Sequence, residues 1–302
     1  MEKKIFTDNG RLKFDSWNQA LGNKIQHLLF VINYADKHNI KPCISIDSNL
    51  DKLFELSSMK EFIDDDIYKN IPLVYGEKDA FETNRLNKYF KSFFRSSRLK
   101  KSLKRSYQED ILESKLLTTN FDYPAIRVIG HFWHYDLMPD LTTFIKYCPI
   151  KKELVDLVKL TYPTLESSKS VAVHYRGTDF KNHLRQIFKT PICLPEKYYK
   201  SAIKKAEEVL GEDIEYHLFS DELDLLVDIF KDKKVIVHRD NLYTDWCALY
   251  LSKNMISSNS SFCWTASLYN KTNLIQPKGG YNHSDPKNPI PYGFGIPGAY
   301  QI

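Results

Sequence analysis

Apolar and polar positions in the second half of the chain alternate in a way that is typical of strands separated by helices. Short apolar runs predict strands at residues 170–175, 215–219, 235–238, 255–258 and 274–276. Longer stretches, with apolar residues three and four positions apart, predict helices between these strands. Strands that alternate with helices pair in parallel through right-handed crossovers. We therefore predict a Rossmann-like domain with an irregular tail, assigned to residues 151–302.

One helix of this half carries clear start and stop signals. Pro195 can begin a helix that Gly211 ends, because proline suits the first helical turn and glycine suits the residue after the last one. The apolar positions in between follow the helical period and predict a buried stripe. That stripe consists of Tyr199, Ala202, Ile203 and Ala206.

The first half, residues 1–150, has a weaker pattern and is predicted to be a separate domain. Its strands are expected at residues 4–6, 12–15, 43–46 and 126–132. A turn at residues 20–23 leads into a helix, and a longer helical pattern covers residues 81–107. The two halves together predict an α/β protein.

Composition and charge narrow the functional classes. A net charge of +5 suits an anionic small molecule or an acidic membrane surface, and without a motif it does not indicate nucleic-acid binding. The 5 cysteines form no C-x-x-C pair, which is typical of reduced thiols. No signal region follows Met1, and no run reaches the ~20 apolar residues of a membrane-spanning helix. These features predict a cytoplasmic protein.

Residues 88–107, from Lys88 to Tyr107, combine a basic face with aromatic side chains. Such a helix can lie on anionic lipid headgroups, which would place the protein at the inner face of a membrane. The alternative is an ordinary helix whose aromatic residues belong to the core. The sequence leaves both interpretations open.

The segment that ends the strand at 170–175 is the first candidate site, with His174, Arg176 and Asp179. Ligands of open α/β sheets bind at the carboxyl ends of the strands. The planar guanidinium of Arg176 fits a phosphate, and its alternative partner is Asp179. His174 is either a functional side chain or a hydrogen-bonded histidine of the core.

A second candidate is the polar run Asn259, Ser260 and Ser261, which joins a strand to a helix. Free backbone N–H groups and the positive end of the helix dipole meet at such a junction, so the run predicts an anion-binding cradle. The alternative is a plain helix cap, which would need only one serine.

A third candidate is Ser220 and Asp221, which again follow a strand. Asp221 could accept hydrogen bonds from a base or a ribose. In the alternative, Ser220 caps a helix that runs to Phe230, and Asp221 and Glu222 are acids of its first turn.

Two weaker features complete the set. Gly22 permits close backbone approach and Asn23 would start the helix of the first half, although such a turn is common. Asp64, Asp65 and Asp66 contain the D-x-D spacing of metal-dependent glycosyltransferases, but a solvated acidic run is the better interpretation. We therefore predict no metal site.

Five segments, in one order along the chain, resemble the bacterial and animal α-1,2-fucosyltransferases and the wider GDP-fucose superfamily. They are Leu21-Gly22-Asn23, Gly130-His131-Phe132, the segment 174–179, Phe219-Ser220-Asp221, and the segment 259–264. The resemblance implies a GT-B fold, in which two Rossmann-like domains face each other across a cleft. It also implies an inverting, metal-independent enzyme that needs no cofactor and uses GDP-fucose as its donor.

The resemblance assigns roles to individual residues. Arg176 matches the arginine that neutralises the donor diphosphate, and Asp179 and His174 are the other catalytic candidates. His183 and Asp15 are further candidates for a general base. The resemblance places Asn259, Ser260 and Ser261 in the donor site. Our further candidates for donor binding are Gly22, Asn23, Ser220, Asp221 and Phe262.

The function expected from this resemblance is transfer of L-fucose from GDP-fucose to a glycan hydroxyl in polysaccharide biosynthesis. An α-1,2 linkage is favoured, whereas the Arg-x-Thr-Asp form of residues 176–179 looks more like the α-1,6 branch. The first domain would take the acceptor and the second the GDP-sugar. The alternatives are a GT-B transferase for another nucleotide sugar and a non-catalytic binder of nucleotide sugars.

Overall fold

The computed structural model places two compact units along the chain, Met1–Pro149 and Ile150–Ile302. Several predicted features lie outside the residues that the structure describes: the strand at 12–15, the acidic run at 64–66, and the basic stretch from 88 to 106. The described residues are 3–7, 20–44, 49–59, 71, 73–77, 107–129, 132, 134–178, 180–181, 192–278 and 295–302.

The first unit is built on a parallel sheet whose described strands run in the order β2-β1-β5-β3-β4. These strands are β1 Lys4–Thr7, β2 Lys41–Cys43, β3 Leu73–Glu77, β4 Tyr107–Leu112 and β5 Ala125–Ile129. The helices are α1 Leu21–His38, α2 Glu113–Leu116 and α3 Leu141–Tyr147, with short 3-10 turns at Leu50–Lys52 and Tyr135–Leu137.

Helix α1 begins earlier than the sequence predicts. Leu21 is its first residue, and Ala20 precedes it in an extended conformation without a side-chain cap. Gly22 and Asn23 therefore lie inside the first turn and do not form a turn before the helix. The apolar stripe of α1 continues through its first turn, so the glycine did not delay the start.

The predicted helix over residues 81–107 is wrong at its last residue, because Tyr107 is the first residue of strand β4. Strand β3 was not predicted either. Polar residues occupy half of β4, Gln108 to Asp110 among them. A short strand with so few apolar positions does not stand out by alternation alone.

The second unit has a parallel sheet with the described strand order β8-β7-β6-β9-β10-β11. The strands are β6 Ser170–Tyr175, β7 Glu215–Ser220, β8 Lys234–Val237, β9 Asn254–Ile256, β10 Asn273–Gln276 and β11 Tyr300–Gln301. The helices are α4 Lys152–Thr161, α5 Glu196–Leu210, α6 Leu223–Ile229, α7 Leu242–Leu251 and α8 Ser261–Ser267. Counted along the chain, the strand order is 3-2-1-4-5-6, the Rossmann order.

The order of this sheet reverses between β6 and β9, which are direct neighbours. Every residue of β6 is buried, as expected for a central strand covered on both faces. Helix α5 packs its predicted stripe against the sheet and ends at Gly211, whose φ is 83°. The strand, the helix and its stop signal are thus confirmed, and they fix the frame around the reversal point.

Among the described helices, none combines the length and the apolar character that crossing a bilayer requires.

Lys271 is expected to be a main anchor of helix α7. Its ammonium donates to the carbonyls of Leu249, Tyr250 and Ser252 at 2.9, 2.8 and 2.7 Å, where the helix ends. Lys271→Met should lower the free energy of unfolding by about 2–3 kcal/mol, because three carbonyls at a helix end would lose their hydrogen-bond donor. Urea denaturation measures this effect, and the exposed Lys253→Met is the control. Equal stability of the two variants would contradict the prediction.

Candidate functional site

The candidate site lies at the reversal point of the second sheet, where the carboxyl ends of β6 and β9 are adjacent. Val173 pairs with Ile256 in the parallel register of the two strands. The residues that follow this pair, 174–178 and 257–261, therefore run side by side at this edge of the sheet. Ligands of open α/β sheets bind outside the strand ends at this kind of point.

His174 joins the two segments. Its Nδ1 lies 2.8 Å from the Oγ of Ser258, and its carbonyl accepts a hydrogen bond from the Tyr199 hydroxyl at 3.0 Å. Burial, and then the charge of Arg176, lower the pKa of His174 to about 3. The ring is therefore neutral at physiological pH and is a weak base. This geometry favours the interpretation of His174 as a hydrogen-bonded core histidine.

Ser258 stabilises the start of helix α8 through hydrogen bonds. Its Oγ accepts from the backbone N–H of Ser260 at 3.2 Å and lies 3.3 Å from the Sγ of Cys263. Together with its contact to His174, this hydroxyl connects the end of β6 to the first turn of α8. The role of Ser258 was not predicted, because its bond to His174 joins residues that are far apart in the sequence.

The predicted cradle residues come together at this turn, and the side chains of Asn259 and Ser260 each have a structural partner. Ser260 is the cap of α8, and its Oγ accepts from the N–H of Phe262 at 3.3 Å. The Asn259 amide donates to the carbonyl of Ile192 at 2.7 Å. Asn259, Ser260 and Ser261 are only 1%, 5% and 8% exposed. The turn is thus rigidly held, and the plain-cap interpretation is correct for the Ser260 hydroxyl.

Arg176 is the charged side chain at the end of β6, and its side chain is 33% exposed. Its Nη1 lies 3.6 Å from the Oδ2 of Asp221, at the end of the neighbouring strand β7. The partner suggested by the sequence, Asp179, lies outside the described residues, as do the general-base candidates His183 and Asp15. The guanidinium is therefore held at a strand end by an acid from the next strand.

The carboxylate of Asp221 also binds backbone. Its Oδ1 accepts from the N–H of Gly177 at 2.8 Å, and its Oδ2 accepts from the N–H of Thr178 at 3.2 Å. The interpretation of Asp221 as an acid of a helical first turn is wrong, because α6 begins only at Leu223. Both of its oxygens are occupied by the segment after β6.

Ser220 does not cap a helix. It is the last residue of β7, and its Oγ accepts from the N–H of Glu222 at 2.8 Å, which forms a tight turn before α6. Glu222 then forms an ion pair with Lys181. The intervening turn places Asp221 opposite the end of β6, which a helix starting at 221 would not do.

Gly177 lies directly against the carboxylate of Glu222. A Cβ built at this position would lie 2.5 Å from the Cδ of Glu222. A side chain here would have to displace the carboxylate that pairs with Lys181. The space beside this glycine is therefore filled by a side chain of the same protein.

Three side chains in the described part of the chain come close enough to suggest a cation site: His238, Asp240 and Asp245. One ligand atom of each lies within 4.8 Å of the others. Zinc–ligand distances of about 2.0–2.2 Å hold tetrahedral ligand atoms roughly 3.4 Å apart, so the trio would have to contract around an ion. Asp240 already accepts a hydrogen bond from Tyr162, and His238 faces His217 at 3.0 Å. The group is a hydrogen-bonded cluster beyond the end of β8.

Sequence reasoning missed all three residues of this cluster, including the buried acid Asp245. Burial, reinforced by the charge of Asp240, raises the pKa of Asp245 to about 7. An acid in the first turn of a helix is common and drew no attention. Its neighbours were the available signal. Trp246 and Cys247 belong to a helix that is apolar on nearly all sides, so an acid in this helix is expected to be buried.

The first unit holds the remaining predicted residues, Gly22 and Asn23, in the first turn of α1. Near them in this unit, Gln26 donates to the carbonyl of Phe132 at 2.8 Å. Phe132 has a φ of 49° and stacks on Phe30 with ring centroids 3.9 Å apart. A buried phenylalanine in the left-handed region is uncommon and costs free energy. Its neighbours Gly130 and His131 lie outside the described residues.

No protein-family model matches this chain, and no curated protein sequence matches it. Several solved structures do. The fucosyltransferase NodZ from Bradyrhizobium is 14% identical, with 88% of this chain and 91% of that chain covered and a TM-score of 0.50. A structure of NodZ α-1,6-fucosyltransferase soaked with GDP-fucose gives 14% identity, 89% and 92% coverage and a TM-score of 0.48.

POFUT1 in complex with GDP-fucose is 12% identical to this chain. It matches over 90% of this chain and 96% of its own, with a TM-score of 0.46. The likeness to NodZ at a TM-score of 0.50 shows the fold. It confirms the predicted α/β class of GT-B type.

Proposed function

We propose that this chain is an inverting glycosyltransferase that moves L-fucose from GDP-fucose to a glycan hydroxyl. The observation that carries the proposal is the position of Arg176, a partly exposed guanidinium at the reversal point of a Rossmann-order sheet. A diphosphate is the anion that this position suits best. The fold of a fucosyltransferase and the order of the five sequence segments support the same assignment.

In this reaction, the bond between fucose and the β-phosphate breaks, and negative charge grows on the departing GDP. Arg176 would stabilise that charge in the transition state, because it is already oriented before the reaction begins. The turn at 259–261 would line the donor site with backbone N–H groups. This division of labour needs neither a metal nor a cofactor.

The acceptor hydroxyl must lose a proton as it attacks the sugar. Neutral His174 is a weak base, and its Nδ1 is engaged with Ser258. Asp179 therefore stays our candidate for the general base, and the role of His174 in catalysis is to support Arg176 and the turn before α8. The departing diphosphate supplies most of the driving force, so weak base assistance suffices.

The remaining assignments follow from the same proposal. The second unit would hold the donor, and the first unit would hold the acceptor, with Gly22 and Asn23 reaching the donor. The linkage is α-1,2 or α-1,6, and the acceptor is a glycan of polysaccharide biosynthesis. We place the reaction in the cytoplasm, at the inner face of a membrane, since a net charge of +5 favours an anionic surface.

The experiment that tests the function is a screen for donor hydrolysis in the absence of an acceptor. Purified protein is incubated with GDP-fucose, other GDP-sugars and UDP-sugars, with and without EDTA, and nucleotide release is measured. We expect release from GDP-fucose at least about tenfold faster than from the other donors, unchanged by EDTA. Tight binding of GDP without release would favour a non-catalytic binder. Preference for another sugar would favour a different transferase.

A further inference from the structure

A single carboxylate connects two strand ends at the candidate site. Asp221 accepts hydrogen bonds from the N–H groups of Gly177 and Thr178 at 2.8 and 3.2 Å. The same carboxylate lies 3.6 Å from the guanidinium of Arg176. It therefore contacts three consecutive residues of the segment after β6, from a position at the end of β7.

These contacts fix both the backbone next to Arg176 and its guanidinium. The two backbone bonds fix the chain directly after Arg176, and the ion pair fixes the direction of its guanidinium. The strands beneath are in continuous register, with Tyr175 paired to Ser220. The turn that carries Asp221 is itself stabilised by the Ser220 hydroxyl and by the ion pair of Glu222 with Lys181.

The charge of Asp221 also argues for an indirect role. A carboxylate beside an anion site repels the anion, so it weakens binding unless it serves a cation there. Both oxygens of Asp221 are already engaged by donors of its own chain. An acid used in this way orients an arginine and has little capacity left for a base or a ribose.

We propose that Asp221 is a positioning residue, which sets the guanidinium of Arg176 for the donor diphosphate. This inference rests on the proposed function and replaces direct donor binding by Asp221. Asp221 acts through Arg176, and it does not touch the reacting atoms. The effect of removing it should therefore depend on the presence of Arg176.

The first test is Asp221→Asn. An asparagine has one acceptor oxygen and no charge, so it cannot satisfy two N–H groups and the guanidinium together. A misplaced catalytic group costs roughly 10²-fold in rate. We expect kcat with GDP-fucose to fall by about that factor, and the Kd for GDP to rise by less than about tenfold. The exposed Asp224→Asn removes the same charge from α6 and should change neither value more than about twofold.

A double-mutant cycle with Arg176→Ala separates the indirect role from direct contact. On that background, Asp221→Asn should change kcat and the Kd for GDP by less than about twofold, because residues that act as a unit are not additive. A further loss of the full size seen in wild type would mean that Asp221 contacts the donor itself. That result would overturn the proposal.

Amide hydrogen exchange gives a readout that does not depend on activity. The N–H groups of Gly177 and Thr178 should exchange at least about tenfold faster in Asp221→Asn than in wild type. Unchanged exchange rates would contradict the proposal that Asp221 holds these two N–H groups. Should Asp221→Asn fail to fold, Asp221→Glu retains the charge but displaces the carboxylate, and it should lower kcat in a folded protein.

The failures of the two proposals are distinguishable. If the wild-type protein does not release GDP from GDP-fucose, the proposed function is wrong and the role of Asp221 falls with it. If wild type is active and Asp221→Asn keeps its full kcat, only the positioning role is wrong.

Discussion

Replacing Arg176 by alanine is expected to lower the rate of fucosyl transfer about 10²–10³-fold while leaving the fold intact. Removing one preorganised donor from a developing negative charge typically lowers the rate about 10²–10³-fold. The fold should survive because the side chain is 33% exposed and its ion pair with Asp221 spans 3.6 Å. Exposed ion pairs of this kind contribute little to stability.

The measurement compares kcat/KM for GDP-fucose in wild type, Arg176→Ala and Arg176→Lys. The lysine variant keeps the charge but loses the planar fork, so it should fall between the other two. Thermal melting followed by circular dichroism checks that each variant is folded. Turnover close to the wild-type value in a folded Arg176→Ala protein would refute the assignment.

The second large effect expected is a loss of stability in acid that depends on two buried histidines. Burial, and then a neighbouring charge or ring, lowers the pKa of both His174 and His238 to about 3. Each ring therefore binds its proton less readily in the folded chain than in the unfolded one. The two neutral rings therefore contribute to the free energy of unfolding in full above the unfolded pKa of about 6.5. This contribution is lost as the pH falls towards 3.

The magnitude follows from the size of these shifts. Each pKa unit corresponds to about 1.4 kcal/mol, so each histidine should account for a few kcal/mol between pH 6.5 and 3. Asp245 acts in the opposite direction, because its pKa is raised to about 7 and its contribution declines as the pH rises from about 4 to 7. The histidine slope should dominate below about pH 4, where Asp245 becomes protonated in the unfolded chain as well.

Urea denaturation across this pH range checks the prediction with His174→Asn and His238→Gln. Each replacement retains an acceptor near the nitrogen that bonds Ser258 or His217, and neither side chain can be protonated in this range. Each variant should show a flatter decline of stability towards acid than wild type. His134→Gln is the control, since the His134 side chain is 43% exposed. A decline as steep as that of wild type in both variants would contradict the account.

The sequence was informative where the signals are local. Strand β6 is a continuous apolar run, and the helix between Pro195 and Gly211 has its start, its stop and its buried stripe within one short segment. The prediction for the turn after β7 was wrong, because its local pattern suggested a helix start. Ser220 and Asp221 form a good capping pattern, but the chain uses them to reach across to β6.

Strands with little apolar content escaped prediction for a related reason. Strand β4 is half polar, and β11 is a two-residue edge strand whose residues are both exposed. They pair because neighbouring strands offer free backbone groups, which is a property of the sheet and not of their own residues. Such strands leave no alternation in the sequence.

The sequence proposes the members of the candidate site but does not show how they are connected. Arg176 and the run 259–261 were identified from residue type and from their position after strands. The bond between His174 and Ser258 depends on β6 lying beside β9, which is a contact between residues 84 positions apart. Strand order of this kind is decided by the packing of the whole sheet.

The central claim is that Arg176 and the turn at 259–261 hold the diphosphate of GDP-fucose. A crystal structure of the protein soaked with GDP tests it most directly. The account predicts a β-phosphate within hydrogen-bond distance of the Arg176 guanidinium, outside the carboxyl ends of β6 and β9. A diphosphate bound elsewhere, with Arg176 still paired with Asp221, would contradict it.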